Sequence, residues 1–509
     1  MGQRLGKRSL LLEKVQGQMK TRLIYVPFDH LNRSFGALKN ANPATDAIAM
    51  VESERMKTGR PWNKQRLYFL ISSARHFAVE LEEAGFEVFY QKAKDTPTGL
   101  AAIKAQAEIE DVVCAEPSSF GQYRQLAELG VEFIENDFFL TSRKLFDDWA
   151  KTQKSFVMEN FYRKQRVRLG ILMEGSEPEG GQWNFDADNR LPPPKNYSWK
   201  QYPEATPDEL DIEVAKELGM EPSKYWETTR AGAQKRLKVF IDNHLAEFGP
   251  YEDAVTTESW SLHHSVISPY INNGLLHPSE VVKAVLAKYK KGGITIASAE
   301  GFIRQVIGWR EYINGMYWYL GEDYKTKNEL AAKRKLLPLY VDSKKTKMNC
   351  VSSEVEAIHQ RGWTHHIPRL MILSNLALIS GTNPQEFLDW MREQFVDASD
   401  WVMVPNVIGM GVHADGGQMM TKPYAAGGAY ISRMTNYCKG CSYNPKERAG
   451  ENACPFTTLY WDFLARHAET FSKNHRMFQQ NSGLKKLSDL PDVRKRAEFV
   501  LRGLEKGEI

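Results

Sequence analysis

Short β-type runs alternate with helical patterns between Leu23 and Asn136, and this alternation restricts the possible folds more than any other feature of the sequence. The runs are LIYV, AIAMVE, FEVFYQ, DVVCAE and VEFIEN. Strands that alternate with helices form parallel βαβ units, so we predict an α/β domain with a doubly wound parallel sheet over 21–148. Ligands of such sheets bind at the carboxyl ends of strands, where Asp29 and Glu52 stand.

The rest of the chain lacks this alternation. Residues 174–210 are rich in Gly, Pro, Asn and acidic residues without a sustained period, so we predict an interdomain connection over 149–210. A large all-α domain is expected over 211–509. Apolar spacing predicts its helices at 211–248, 279–290, 297–320, 352–360, 365–380, 385–394 and 456–470.

Composition excludes several classes of protein. A chain of 509 residues with 42% hydrophobic and 26% charged residues is neither a small disulfide-stapled module nor a disordered chain. No apolar run approaches the roughly 18 residues of a membrane span, so no membrane partner is expected. The net charge of +4 does not by itself require a polyanionic partner. Residues 1–20 are rich in basic residues, and we expect them to form a loose tail.

Four of the five cysteines lie in the last third of the chain. Cys438 and Cys441 form a C-x2-C pair, Cys454 follows, and Cys350 lies upstream. Four thiolates can ligate zinc or an iron–sulfur cluster, and the spacing leaves both, as well as an unliganded set, open. Cysteines in a chain without a signal-peptide core indicate a reducing compartment, so we expect a cytoplasmic protein.

Two segments carry candidate catalytic or phosphate-binding groups. Ser265 and Ser268 stand where a helix can begin, and hydroxyl and backbone N–H groups there suit a pyrophosphate, although simple N-capping also explains them. His365 and His366 are adjacent and precede Arg369 in an apolar segment. Such a pair is compatible with general acid chemistry as well as with ordinary core histidines.

Two further segments suggest contacts with nucleic acid. Basic and aromatic residues alternate over 149–168, which includes Lys154 and Arg163. Phosphate contacts and base stacking require this mixture, but a solvated helix face has it too. The segment that holds Tyr424 and Tyr430 contains glycine pairs, which let a backbone approach a ligand closely.

Three motifs in this order resemble the photolyase and cryptochrome family. They are S-x2-S-P-Y at 265–270, F-I-R-Q…W-R-E-Y at 302–312 and G-W-x-H-x3-R-x-M at 362–371. The resemblance runs from about residue 21 to the end of the chain. The four cysteines single out the iron–sulfur bacterial branch, whose members bind FAD, a [4Fe–4S] cluster and a 6,7-dimethyl-8-ribityllumazine antenna.

The resemblance implies a role for individual residues. Cluster ligands fall on the four cysteines, and the antenna is expected near Asp29 and Glu52. Met403 falls at the position that faces flavin N5, where a thioether cannot accept the hydrogen bond that an amide oxygen accepts. The residues implied to contact FAD or to line its pocket are Ser265, Ile267, Ser268, Gln305, Arg310, Trp363, Arg369, Asp397, Met403 and Asn406.

His366 stands where cyclobutane-dimer photolyases have asparagine. A histidine at this position resembles the (6-4) photolyases, which need a proton donor next to the flavin. The resemblance therefore implies light-driven repair of (6-4) photoproducts in UV-damaged DNA, with His366 as donor and His365 in support. We expect a cytoplasmic monomer that joins the nucleoid when it is bound to DNA, with Lys154, Arg163, Tyr424 and Tyr430 as candidate DNA contacts.

Three alternatives stay open. The family's aromatic electron route keeps Trp390 but has Met391 and Asp342 in place of aromatic residues, which favours a cryptochrome-type photoreceptor without repair. A cyclobutane-dimer photolyase is a second alternative. A zinc-stabilised helical protein that binds nucleic acid would share the cysteine pattern but would not explain the flavin motifs.

Overall fold

A computed structural model describes residues 20–509, so almost all of the predicted basic tail lies outside the described residues. The five predicted strands form one parallel sheet in the order β3-β2-β1-β4-β5. The order moves outward from β1 in both directions, which is the predicted doubly wound topology. The strands are β1 Arg22–Tyr25, β2 Asp46–Ser53, β3 Glu87–Ala93, β4 Val112–Ala115 and β5 Glu132–Ile134.

Helices cover both faces of this sheet. Side chains of a strand point alternately to its two faces, so Leu23 packs with Ile103 on one face and Ile24 packs with Phe69 on the other. Every residue of β2 is buried, as expected for a parallel strand that is covered on both sides. The helices up to residue 169 are α1 Glu54–Thr58, α2 Lys64–Glu83, α3 Thr96–Ala107, α4 Phe120–Glu128, α5 Arg143–Ala150 and α6 Met158–Leu169.

The remainder is helical, apart from a small hairpin of β6 (Met173–Glu174) and β7 (Glu177–Pro178). No helix within residues 20–509 is long and apolar enough to cross a membrane. The helices are α7 Glu209–Glu217, α8 Arg230–Val239, α9 Leu245–Phe248, α10 Ser268–Asn272, α11 Pro278–Lys290, α12 Ile296–Ile303, α13 Glu311–Leu320, α14 Asn349–Arg361, α15 Asn375–Ser380, α16 Pro384–Gln394, α17 Asp400–Val404, α18 Gly428–Met434, α19 Pro455–Arg466, α20 Ala468–Ser472, α21 Phe478–Lys485 and α22 Leu490–Lys506.

Shorter helical segments connect these helices. The 3-10 turns are Gly36–Leu38, Glu179–Gly181, Asp186–Asp188, Glu322–Thr326, Pro338–Tyr340, Ser343–Lys345 and His475–Met477. The π-helical segments are Phe240–His244, Arg304–Arg310, Pro368–Ser374 and Pro405–Gly411. A π turn carries one extra residue and thereby redirects side chains, and such turns are frequent at functional sites. The last three segments contain Gln305, Arg310, Arg369 and Asn406, which the sequence assigns to FAD.

The segment over 149–210, which the sequence predicts to be an interdomain connection, contains helix α6. Phe161 and Tyr162 of α6 are fully buried, and the Tyr162 hydroxyl donates a hydrogen bond to Glu300 Oε1 on α12 at 2.7 Å. The apolar ring of Tyr162 and its buried acceptor place α6 within the core of the helical part. Only the stretch between α6 and α7 has the irregular structure that its composition predicts.

Candidate active site

A buried ion pair joins three segments that the sequence separates widely. The Arg369 guanidinium donates to both Asp397 carboxylate oxygens, at 3.0 Å each. The Ser268 hydroxyl at the start of α10 donates to Asp397 Oδ2 at 2.6 Å. Asp397 is only 6% exposed, so its charge depends on these partners. The structure thus brings together Ser268, Arg369 and Asp397. The resemblance implies the Arg369–Asp397 pair, whereas the contact of Ser268 with Asp397 was not predicted.

Replacing Arg369 with alanine is expected to reduce the free energy of unfolding by about 3–5 kcal/mol, because Asp397 would stay buried without its counter-charge. Denaturant unfolding would measure the loss. Lys144→Ala is a suitable control, since Lys144 pairs with Asp148 on the surface and such a pair contributes about 1 kcal/mol or less. Equal losses in the two variants would contradict the importance of the Arg369–Asp397 pair.

The loop before α10 has a strained backbone. Val266 lies between the predicted pyrophosphate contacts Ser265 and Ile267 and has a φ of 52°, which a β-branched residue rarely adopts. The Tyr202 hydroxyl supports the loop by donating to the His264 carbonyl at 2.7 Å. Strain of this kind costs about 1–3 kcal/mol and is concentrated at ligand-binding sites, so it agrees with the predicted pyrophosphate contact.

Three histidines form a compact group beside this loop. The rings of His264 and His365 stack with their centroids 4.1 Å apart, and both side chains are buried. His366 is more accessible, with 48% of its side chain exposed, and its Nε2 atom lies 3.5 Å from Asp253 Oδ1. His264 is the member of this group that the sequence did not mark as a site residue.

The three imidazoles differ in protonation. Burial lowers the pKa of His264 and of His365 well below the ordinary value, so both rings are neutral near pH 7. Desolvation also opposes a charge on His366, but the Asp253 carboxylate outweighs it and raises the pKa of His366 above its ordinary value. The group therefore holds one imidazole that favours the protonated form next to two that do not.

Two consecutive acidic residues complete the site, and the sequence did not predict either of them. Asp253 pairs with His366, while Glu252 Oε1 accepts a hydrogen bond from Gln305 Nε2 at 2.7 Å. Glu252 is 5% exposed, and burial raises the pKa of its carboxyl to about 7. The signal was weak because a Glu-Asp pair between Pro250 and Ala254 is also typical of a solvated turn.

Other predicted flavin contacts lie in two different settings. The Arg310 guanidinium contacts the α/β domain, where it donates to the Phe138 carbonyl at 3.2 Å and lies over the Phe139 ring. Met403 is buried in α17, and Asn406 donates to the Val402 carbonyl within its π segment. These three assignments stay predictions.

Trp363 and Trp390 are both buried against aromatic rings. Trp363 makes an edge contact with Trp260, with ring centroids 5.7 Å apart. Trp390 lies 4.9 Å from Tyr340 and 6.2 Å from Phe395, measured between ring centroids, and the Arg369 guanidinium covers Phe395. An aromatic connection thus runs from the Arg369–Asp397 pair to Trp390 and Tyr340.

The four cysteines that the sequence grouped together line one cavity. Cys350 lies on α14, Cys454 precedes α19, and Cys438 and Cys441 lie in the turn after α18. None of the four forms a disulfide bond. The other lining residues are Met348, Gly428, Ile431, Tyr437, Tyr443 and Phe456.

The two antenna candidates differ in accessibility. Glu52 is fully buried, and its carboxylate accepts hydrogen bonds from Arg75, Lys57 and Tyr90. These partners leave Glu52 no surface for a ligand, so its burial argues against the antenna role. Asp29 is partly accessible at the end of β1, and its role stays a prediction.

The four candidate DNA contacts all reach the surface to some extent. Lys154 and Arg163 are exposed, and Arg163 pairs with Glu159 at 3.0 Å. Tyr430 is half-buried. Burial is the main cause that raises the pKa of its phenol to about 12, and the nearby Asp253 carboxylate is the second. Tyr430 is thus close to the acid that pairs with His366. Tyr424 is also half-buried, and its role stays a prediction.

Comparisons with known proteins agree with this architecture. The family model described as deoxyribodipyrimidine photo-lyase-related protein matches residues 24–226. The chain is 39% identical over 510 residues to a curated (6-4) photolyase of Agrobacterium fabrum, which covers 95% of this chain and 100% of the relative.

Solved structures support the fold. A bacterial class III photolyase from Agrobacterium tumefaciens superposes with a TM-score of 0.57 at 16% identity, over 98% of this chain and 100% of that one. A cryptochrome from Synechocystis gives a TM-score of 0.53 at 15% identity, over 77% of this chain and 82% of that one. At such identities a structure supports the fold alone. The full-length relative carries the assignment, and the chain belongs to the photolyase and cryptochrome family, on the branch of the bacterial (6-4) photolyases.

Proposed function

We infer that this protein is a flavin-dependent photolyase that uses light to repair (6-4) photoproducts in UV-damaged DNA. The observation that carries this inference is the His366 imidazole, which lies in an accessible position of the site and whose pKa the Asp253 carboxylate raises. The full-length similarity to a curated (6-4) photolyase supports it.

The residues of the site fit an FAD cofactor. His264 Nε2 and both ring nitrogens of His365 are buried without hydrogen-bond partners in the described chain, as expected where a polar ligand completes the site. Ser265, Ile267 and Ser268 would hold the pyrophosphate, and Arg369 with Asp397 would lie beside the ring system. When bound, FAD would supply the electron that light transfers to the lesion.

The protein side chains then control binding and proton transfer. Enzymes of this family turn the damaged bases out of the stack and into the pocket. His366 would donate a proton from its ring to the lesion, and Asp253 would hold the ring in place and stabilise its charge. The neutral, buried His365 cannot compete for that proton at neutral pH, and it stacks on His264 to fix the adjacent backbone.

Repair is expected to fall as pH rises through the raised pKa of His366, because the donor must be protonated. Replacing Asp253 with asparagine removes the charge that raises this pKa, so the alkaline limb of the rate profile should move to lower pH. Single-turnover repair rates of the wild type and of Asp253→Asn across a pH series would measure the alkaline limb of each protein. An alkaline limb at the same pH in the two proteins would contradict the pairing of His366 with Asp253.

We propose that the cysteine cavity holds a [4Fe–4S] cluster. One zinc ion with four thiolates at about 2.3 Å would bring the sulfur atoms to about 3.8 Å from one another. Among the described residues, no three cysteine sulfurs lie within 4.8 Å of one another. The wider spacing favours a polynuclear cluster over a single zinc ion.

The remaining assignments follow the same resemblance. We propose that a ribityl-lumazine antenna binds near Asp29, that Lys154, Arg163, Tyr424 and Tyr430 contact DNA, and that the protein acts as a monomer in the cytoplasm. A photoreceptor without repair is the second candidate, because Met391 and Asp342 replace aromatic residues of the family's electron route. The aromatic connection from Trp390 reaches Tyr340, which is fully buried and so does not lead to the surface.

Binding in darkness would separate these functions. We expect an oligonucleotide with one (6-4) photoproduct to bind more tightly than the undamaged strand and than one with a cyclobutane dimer. A photoreceptor without repair would show no preference among the three, and a cyclobutane-dimer photolyase would prefer the third.

A further inference from the structure

We propose that Glu252 is a positioning residue that fixes the side-chain amide of Gln305, so that Gln305 presents its carbonyl oxygen to the damaged base. The group that the Gln305 carbonyl oxygen would recognise is a hydroxyl or a ring N–H of that base. This inference rests on the proposed (6-4) photolyase function and adds a specificity determinant to it.

The contacts of the Gln305 amide determine its orientation. Nε2 donates to Glu252 Oε1 at 2.7 Å and to the Gly301 carbonyl at 3.2 Å. Both neighbours are acceptors, so the NH2 group must face them and the carbonyl oxygen must point away. Both amide hydrogens are used within the protein, and Oε1 is left for a ligand. Gln305 itself is half-buried, as a residue that borders a binding pocket must be.

Two consecutive residues connect an acceptor and a donor. Glu252 holds the Gln305 amide, and the next residue, Asp253, pairs with His366. In the proposed complex, Gln305 would offer an acceptor and His366 a donor to the same bound base. The 5′ base of a (6-4) photoproduct carries a hydroxyl and a ring N–H, which are donors that suit Gln305 Oε1. Undamaged DNA keeps its bases paired and stacked, and so does not present these donors to the pocket.

The protonation of Glu252 gives this device a measurable signature. The ionised Glu252 carboxylate can only accept hydrogen bonds, and it binds the amide N–H strongly. A protonated carboxyl can also donate its O–H to the amide oxygen, so it tolerates the amide in the flipped orientation. Glu252 Oε2 has no hydrogen-bond partner within residues 20–509, so it is free to take the proton. Burial raises the pKa of Glu252 to about 7, which puts this change near neutrality.

The charged groups around Glu252 come from four segments. Arg304 and His366 favour its ionised form, while Asp253 and Asp186 oppose it. Lower pH also protonates His366, which increases its charge and should strengthen lesion binding. Protonation of Glu252 should instead weaken lesion binding at lower pH, because it releases the Gln305 amide from its fixed orientation. Glu252 also raises the pKa of His366, so a second variant that removes the Gln305 amide is needed to separate the two effects.

The test compares dark binding of a duplex that carries one (6-4) photoproduct with that of the undamaged duplex, using holoprotein over a pH series. We expect E252Q to lose roughly tenfold in this selectivity well above neutrality, as for the loss of one oriented hydrogen bond. Well below neutrality the two proteins should converge. Glu354→Gln is the matched control, since Glu354 is also buried and accepts bonds from Thr364 and Tyr437, and its selectivity should equal that of the wild type.

Gln305→Met tests the contact from its other side. It removes the amide but keeps Glu252, so the part of the pH dependence that comes from holding the amide should vanish. Adding E252Q to it should then cause a much smaller loss of selectivity than E252Q causes in the wild type, because only the effect on the pKa of His366 is left. Wild-type pH dependence in E252Q, or an undiminished E252Q effect in the Gln305→Met background, would overturn the inference. A wild-type protein without selectivity at any pH would instead overturn the proposed function.

Discussion

Replacing His366 with alanine is expected to slow (6-4) repair by about two to four orders of magnitude, the usual contribution of a positioned general acid. The reason is local: His366 is the accessible imidazole of the site, and the Asp253 carboxylate raises its pKa. The buried His264 and His365 are neutral and cannot replace it. Single-turnover repair under saturating light would measure the loss.

The control for this experiment is His475→Ala, because His475 is an exposed histidine in a 3-10 turn and does not belong to the group of three imidazoles. It should repair at the wild-type rate. Dark affinity of His366→Ala for the lesion should stay within about tenfold of the wild type, since only one hydrogen bond is removed. Full repair activity in His366→Ala would contradict the assignment of the proton donor.

Replacing Cys441 with serine is expected to remove most of the iron and sulfide and to lower the free energy of unfolding by more than about 4 kcal/mol. The four cysteines come from α14, the turn after α18 and the start of α19, so a cluster would cross-link segments far apart in the chain. Metal and sulfide analysis, together with thermal unfolding, would measure both effects.

The fifth cysteine provides the matched control. Cys114 lies fully buried in β4, within the core of the α/β domain, and Cys114→Ala should keep its full iron content. A soluble Cys441→Ser protein that retained both iron and sulfide would contradict cluster ligation. Zinc in place of iron in the wild type would favour the structural zinc site that the cysteine spacing also allows.

The sequence predicted the architecture well where one physical signal dominated. All five strands were predicted. The buried strands β1, β2 and β4 have nearly continuous apolar runs, whereas the partly exposed edge strands β3 and β5 mix apolar with polar residues. Helix α6 was assigned to a connection because its many basic residues hide the buried Phe161 and Tyr162. Helix α22 was missed for a similar reason, since a run of basic residues interrupts its apolar face.

Within the site, the sequence predicted residues whose motifs are distinctive and missed those whose role depends on contacts. Arg369 and Asp397 pair as expected, although the chain separates them. Glu252 and Asp253 were missed because only the fold brings them to Gln305 and His366. The same limit applies to Glu52, since an acid at a strand end is equally suited to a ligand and to a buried ion pair with Arg75.

The most direct test of the proposed function is chromatographic. The reduced holoprotein would be incubated with an oligonucleotide that carries one (6-4) photoproduct, under blue light and in darkness, and the restored thymines would be quantified. We predict restoration under light and none in darkness. A flavin-loaded protein that restores no thymines under light would contradict the proposed repair function and favour the photoreceptor.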